Sequence, residues 1–529
     1  MATWSDHLIV LPILLPMAAG AGMLLLDERQ YALKRGIGIL TTLALLAISA
    51  ALLQDTVGGT ATQIYLLGDW PAPFGITLVA DRLSATLLVL ANMLGFTSLC
   101  YATARWDRAG PRFHALFMMQ LVGLNGAFLT GDLFNLFVFF EVVLAASYGL
   151  LLHGATRDRV SAGLHYISIN IAASLLFLIG ASLIYGVTGT LNLADLAEHF
   201  RAVSAADLAL LQGGILILGI VFIIKAGMWP LGFWLPTTYS AAAPPVAALF
   251  AILSKVGVYA IVRLVSIIPP DAPGSAFLVD GILTLGGIST VAFGTIGILA
   301  ARTLSRVAGY SLIISSGTLL ATIGAGEAVL GPALFYLVSS SLAVSAFYLL
   351  AELLARGEPA ATSTAADAVF DDEYAGMVNE NGDEEVGVVI PVTLAVLGGA
   401  FLFCALLLAG LPPLTGFVAK FAIIDGLLRS GTGPASWTLI GMIVFSGLAT
   451  IIAASRAGIE LVWAADHPPQ GLRVAEVLAI GVLLMACLGL MLFAGPALQA
   501  MTETARLLNA TVVEPVRAFG SPTAGAIPQ

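Results

Sequence analysis

Charge is what this chain has least of. Across its 529 residues only 10% are charged and 59% are hydrophobic, with a mean hydropathy of +0.98, values that exclude a soluble globular domain. Lysine is scarcer still, with four in the whole chain. There are three cysteines, Cys100, Cys404 and Cys487; each lies inside an apolar run and no two form a C-x-x-C pair. That spacing excludes a disulfide framework, a cysteine metal cluster and a haem attachment site. The first apolar run follows "MATWSD", with no basic segment before it and no small-residue cleavage pattern after it, so it is expected to be a retained helix, not a signal peptide. The net charge of −10 owes much to one segment: between Glu358 and Glu385 stand nine acidic residues and no basic one. Such a composition reads as a solvated loop.

What fills the chain instead is apolar runs long enough to cross a hydrocarbon core about 30 Å thick as helices. Fourteen are expected, near 7–26, 36–53, 83–103, 113–130, 133–153, 162–186, 207–228, 244–266, 277–300, 304–324, 328–355, 388–428, 436–464 and 474–498. The fold class is therefore an all-α polytopic membrane protein. With the N-terminus outside, thirteen Lys and Arg would lie in cytoplasmic loops and six on the opposite side, so the positive-inside rule predicts both termini outside and the acidic loop 356–387 in the cytoplasm.

Thirteen and six leave three basic residues of twenty-two unplaced, and all three are lysines within predicted spans: Lys225, Lys255 and Lys420. A charge there costs about 3 kcal/mol on insertion scales. Snorkelling to the headgroups is the ordinary explanation, but Lys255 in "ALFAILSKVGVYAIV" has seven or more largely apolar residues on either side. Lys225 and Lys420 each stand beside a proline-containing break, in "KAGMWPLGFWLP" and "GLPPLTGFVAK". Pro230 frees the carbonyl of Ala226, while Pro412 and Pro413 free those of Leu408 and Ala409; free carbonyls at membrane depth are tolerated only inside protein or beside water. Five spans separate the two similar breaks, the pattern of an inverted-repeat transporter core. The expected organisation is helices 1–3 over 1–112, a first repeat of helices 4–8 over 113–268, a second of helices 9–13 over 277–465, and helix 14 with a C-terminal tail over 466–529.

One carboxylate, Glu141, stands in the middle of the fifth run, "GDLFNLFVFFEVVLAASYGLL". A buried carboxylate is either neutral and hydrogen-bonded to a neighbouring helix or paired with a buried ammonium. Moving a lysine pKa from near 10.4 to about 7 takes roughly 4.6 kcal/mol, and an ion pair at about 4 Å is worth around 4 kcal/mol at an effective dielectric of 20. Making or breaking one Glu–Lys contact is thus the right size to load or unload a proton.

Together, the stretch around Glu141, "KAGMWPLGFWLPTTYSAAAPPVAALFAILSKVGVYAIVRL" and "GLPPLTGFVAKF" resemble the antiporter-like subunits shared by Mrp-type multisubunit cation/proton antiporters and respiratory complex I, the D-type Mrp subunits above all. The resemblance covers nearly the whole chain. It implies fourteen helices and a midplane proton-transfer axis in which Glu141 faces Lys225, with Lys255 and Lys420 continuing it. It also implies no cofactor and no metal of the chain's own, a place among the other subunits of a hetero-oligomeric complex in the lipid bilayer, exchange of H+ for Na+, and no nucleic-acid partner. The chain departs from the pattern at three places. Ser339, Ser340 and Val344 stand where many relatives have a His-His pair and a lysine; Thr237, Thr238 and Tyr239 replace a histidine after span 7; Ser316 occupies a third histidine position. The route then leans on lysines and hydroxyl-bound water, with His165 in span 6 either an extra relay or a hydrogen-bonded structural residue. A secondary-transporter subunit without enzymatic activity is the first reading. A proton-pumping subunit of a quinone reductase or membrane hydrogenase is the alternative, and a non-transporting scaffold leaves the midplane lysines unexplained.

Overall fold

A computed structural model describes residues 6–58, 62–70, 75–204, 206–268, 281–356, 392–431, 433–459 and 472–519; the acidic segment from Glu358 to Glu385 lies outside them. The chain runs α1 (Leu11–Leu25), α2 (Tyr31–Gly58), β1 (Thr62–Leu66), β2 (Thr77–Asp81), α3 (Arg82–Ala102), α4 (Phe113–Leu129), α5 (Leu133–Leu151), α6 (Arg157–Thr188), α7 (Leu193–Ala202) and α8 (Leu208–Ala226). It continues through α9 (Trp234–Ala241), α10 (Pro244–Phe250), α11 (Leu253–Ile267), α12 (Thr284–Ala300), α13 (Leu304–Gly324), α14 (Glu327–Ala355), α15 (Val392–Ala409), α16 (Thr415–Arg429), α17 (Pro434–Gly458), α18 (Val474–Leu492) and α19 (Ala494–Phe519).

Among the described residues eleven segments are long and apolar enough to cross a membrane, and three shorter apolar helices, α1, α4 and α15, accompany them. These helices are apolar on every side, so each must meet protein or lipid all round. α13 and α14, with the α10–α11 pair, are almost wholly buried, whereas α2 and α18 turn most of their apolar surface outward. Start signals are local: Asp81 caps α3 in a reciprocal pair with Ser84, and the side chains of Asp132, Thr156, Asn192 and Thr303 cap α5, α6, α7 and α13.

Several boundaries differ from the sequence-based expectation. The eighth span is two helices, α10 and α11, parted at Ala251–Ile252, and the twelfth is α15 and α16. The last predicted span runs across a break at Phe493, beyond which the expected tail is helix α19. Strands β1 and β2 pair antiparallel, Thr62 opposite Asp81 and Leu66 opposite Thr77. The hairpin was not legible because its connection and its mixed polar-apolar strands look like any loop between spans. Bridges from Leu78 to Thr130 and from Asp132 to Asn192 extend it across the ends of α4, α5 and α6.

A proline inside a helix has to be compensated, and α1 shows how. Pro16 carries no N–H, so the carbonyl of Pro12 loses its helical partner; Asn125 of α4 donates its Nδ2 to that carbonyl at 2.8 Å and a second bond to Asn92 at 3.3 Å.

Candidate functional site

Both helix breaks are built alike. α8 ends at Ala226 and α15 at Ala409, each followed by a glycine, Gly227 or Gly410, with φ of 78° or 79°, a left-handed conformation that side-chain-bearing residues adopt only at a cost. The N–H groups of Gly227 and Met228 fold back onto the last turn of α8, and those of Gly410 and Leu411 onto Leu406.

At the second break the carbonyls freed by the two prolines receive the lysine. Lys420 of α16 donates to the oxygen of Ala409 at 2.9 Å and of Leu408 at 3.2 Å, and the side chain is buried. An ammonium is a good partner for two carbonyls because each bond is charge-assisted. At the first break Lys225, in the last turn of α8, lies with Nζ 4.6 Å from the ring centroid of Phe140. Glu141 is the next residue along α5 and accepts a hydrogen bond from Ser174 of α6. Glu141 and Lys225 lie within electrostatic reach of one another, yet among the described residues they form no ion pair within 4.0 Å. Lys225 thus rests over the ring of the residue that precedes Glu141.

Lys255 stands between the breaks. It opens α11, is wholly buried, and donates to Ser315 of α13 at 2.8 Å, which in turn meets Ser340 of α14 at 2.9 Å. A small cavity beside Lys225 reaches Leu253, Val256 and Gly257 around Lys255 and is lined by Tyr166, Trp234 and Tyr239. A second joins Ser315 and Ser340 to Leu408 and Thr415 at the other break. The indole nitrogen of Trp234 and the hydroxyls of Tyr239 and Thr415 are buried on these walls with no partner in the protein. Unpartnered polar groups around internal space are what ordered water completes.

His165 does not join this row. It is exposed on the outer side of α6, its Nδ1 donating to the carbonyl of Ser161. Pro230, Pro412 and Pro413 fall inside the two breaks. Among the described residues no group of three or more His, Cys, Asp or Glu could hold a metal ion. Sequence reasoning missed Ser315 and Ser174, though α13 offers a signal: Ser311, Ser315, Thr318 and Thr322 recur at helical spacing on one face of an otherwise apolar run.

Residues 130–450 match the model of the family described as NADH:quinone oxidoreductase/Mrp antiporter, TM. The chain belongs to that family. Members of this NADH:quinone oxidoreductase/Mrp antiporter family similar to it include the D-type component of a probable K(+)/H(+) antiporter from Rhizobium meliloti (strain 1021), 50% identical over 99% of this chain and 100% of that protein. The D-type component of the Na(+)/H(+) antiporter of Bacillus subtilis (strain 168) is 34% identical over 92% of this chain and 94% of that protein. Among solved structures, a chain of the Mrp complex from Dietzia sp. DQ12-45-1b superposes with a TM-score of 0.81 at 22% identity, covering 97% of this chain and 100% of that one. A chain of respiratory complex I from Thermus thermophilus gives 0.76 at 23%, covering 95% and 99%. These likenesses establish the fold.

Proposed function

We propose that this chain is the D-type, proton-translocating subunit of a multisubunit cation/proton antiporter, and that its protons move along the midplane row Lys225, Lys255 and Lys420 with Glu141 as the charged partner of Lys225. The observation that carries the reading is the row that three of the chain's four lysines make inside the helix bundle, Lys225 lining one cavity, Lys255 reaching the second through Ser315 and Ser340, and Lys420 bound to the Leu408 and Ala409 carbonyls beside it. A buried ammonium costs several kcal/mol, and a purely structural helix bundle gains nothing from three of them. D-type antiporter components share 50% and 34% identity with it, against 31% for an N-type component of an NADH-quinone oxidoreductase, which favours the antiporter over the oxidoreductase alternative.

The exchanged cation is Na+ or K+, the two for which its relatives are named. The matching Ala-Gly breaks, each with its lysine, support reading α4–α11 and α12–α17 as inverted repeats. Both termini are outside in this reading and the acidic segment is cytoplasmic; the arginines counted as cytoplasmic support it by converging, as Arg35 on Asp107, Arg105 and Arg356 on Glu352, and Arg356 on Glu476. The test is exchange in inverted vesicles from an antiporter-deficient host, driven by a pH gradient with Na+ or K+ added. The full set of subunits should exchange one of the two ions. This chain alone, or the set without it, should not, and full rescue by the single chain would refute the proposal.

A further inference from the structure

The charge of Lys225 rests on a ring. Its Nζ lies 4.6 Å from the centroid of Phe140, inside the range at which the negative π face of an aromatic ring attracts a cation. Both residues line the same cavity, and Phe140 is 3% exposed, so little water competes with the ring for the ammonium. The plane of the ring is set by packing among three helices. Phe140 of α5 meets Phe177 of α6 at 6.2 Å and 83°, and Phe222 of α8 at 6.2 Å and 68°, with Phe177 and Phe222 themselves 5.7 Å apart. Near-perpendicular pairs of this kind are a favoured aromatic geometry.

Phe140 directly precedes Glu141 on α5, yet the two serve an ammonium differently. Glu141 is a carboxylate that can take the proton, and it is engaged by the hydroxyl of Ser174. A phenyl ring attracts the charge and has no lone pair on which to accept a proton. The other titratable groups at this cavity are Tyr166 of α6 and Tyr239 of α9, and Lys255 lies in the first turn of α11. The flexible four-carbon stem of lysine can carry one ammonium between a carboxylate and a nearby ring face. Leucine at 140 would also pack against Phe177 and Phe222; only an aromatic residue offers the ammonium a π face as well.

We propose that Phe140 is a positioning residue for the first lysine of the row: its π face holds the Lys225 ammonium on the cavity wall, released from Glu141 with its proton still on, so that the proton departs into the cavity toward Lys255. That departure breaks one N–H bond of Lys225 and forms one bond on the acceptor, a water or the neutral amine of Lys255; the ring takes no proton and gives none. This inference rests on the proposed role of Lys225 as a proton carrier.

The test uses the assembled complex in inverted vesicles, with assembly read on native gels and with phenylalanines carrying one, two or three ring fluorines incorporated at position 140. Fluorine draws electron density from the ring face and leaves the shape nearly unchanged, so a packing role predicts the parental rate and pH profile throughout the series. The π contact predicts full assembly and a rate that falls with each fluorine, to roughly a fifth of the parental rate or less. It also predicts that the pH of half-maximal exchange moves down by about half a unit or more, because each fluorine weakens the hold on the charged lysine. Phe140→Leu should match the trifluorinated ring. Lys225→Ala separates the two claims. If it abolishes exchange while the fluorinated series keeps the parental rate and pH profile, the π contact is refuted and the lysine row stands; if Lys225→Ala itself exchanges at the parental rate, the lysine row fails.

Discussion

Glu141 sits one residue past the ring that Lys225 covers, and its carboxylate is bound by the Ser174 hydroxyl. Both facts sharpen what a substitution there reports. Glutamine at 141 keeps an oxygen for Ser174 to donate to and keeps the volume, so Glu141→Gln removes little besides the charge. The complex should assemble normally while exchange falls at least tenfold, and Glu141→Asp should retain part of the rate because the charge remains on a shorter stem. Parental exchange by Glu141→Gln would make the residue a structural hydrogen-bond acceptor. At this scale the sequence was informative about chemistry and silent about contacts. Apolar surroundings singled out Glu141 and the three lysines, and the prolines named the Leu408 and Ala409 carbonyls that Lys420 binds. The Phe140 ring under Lys225 and the Ser315 partner of Lys255 depend on how helices cross, which no local pattern encodes.

At the scale of elements, the helices are tied at the arginine-rich face by groups outside the spans. Asp107, in the turn between α3 and α4, receives two bonds from Arg35 of α2 at 2.5 and 2.8 Å and lies 3.3 Å from His114 of α4. Burial disfavours its charge, but the bonds from Arg35 and His114 outweigh this and hold its carboxyl below its ordinary value of 3.8. A depressed carboxyl stabilises the fold above that ordinary value, and the contribution is lost as pH falls through the folded-state value below it. Asp107→Asn should therefore destabilise the solubilised complex by about 3 kcal/mol at neutral pH, as expected for a broken buried pair. Thermal unfolding followed down to pH 3 should show variant and parent converging; a variant as stable as the parent at pH 7 would show that Arg35 is satisfied elsewhere. Span positions were legible as apolar length. The breaks within α10–α11 and between α18 and α19 were not, since Ala251–Ile252 and Phe493 are chemically indistinguishable from their helical neighbours and only packing interrupts them.

For the whole molecule, the sidedness of the row decides which way a proton gradient drives it. A single cysteine in place of Ser363, within the acidic segment, should be inaccessible to an impermeant thiol reagent added to intact cells and react after permeabilisation; labelling from outside would invert the topology. The central claim is that buried lysines carry protons between the two breaks, and Lys255 is where it is most exposed to test. It is wholly buried, and its ammonium is held by the Ser315 hydroxyl. Methionine fills nearly the same volume without a charge to bury, so Lys255→Met should leave stability unchanged or raised. The deciding measurement is pH-gradient-driven cation exchange by the assembled Lys255→Met complex in inverted vesicles. Normal assembly with exchange at least tenfold below the parent is the predicted result, and normal assembly with the parental rate would contradict the account.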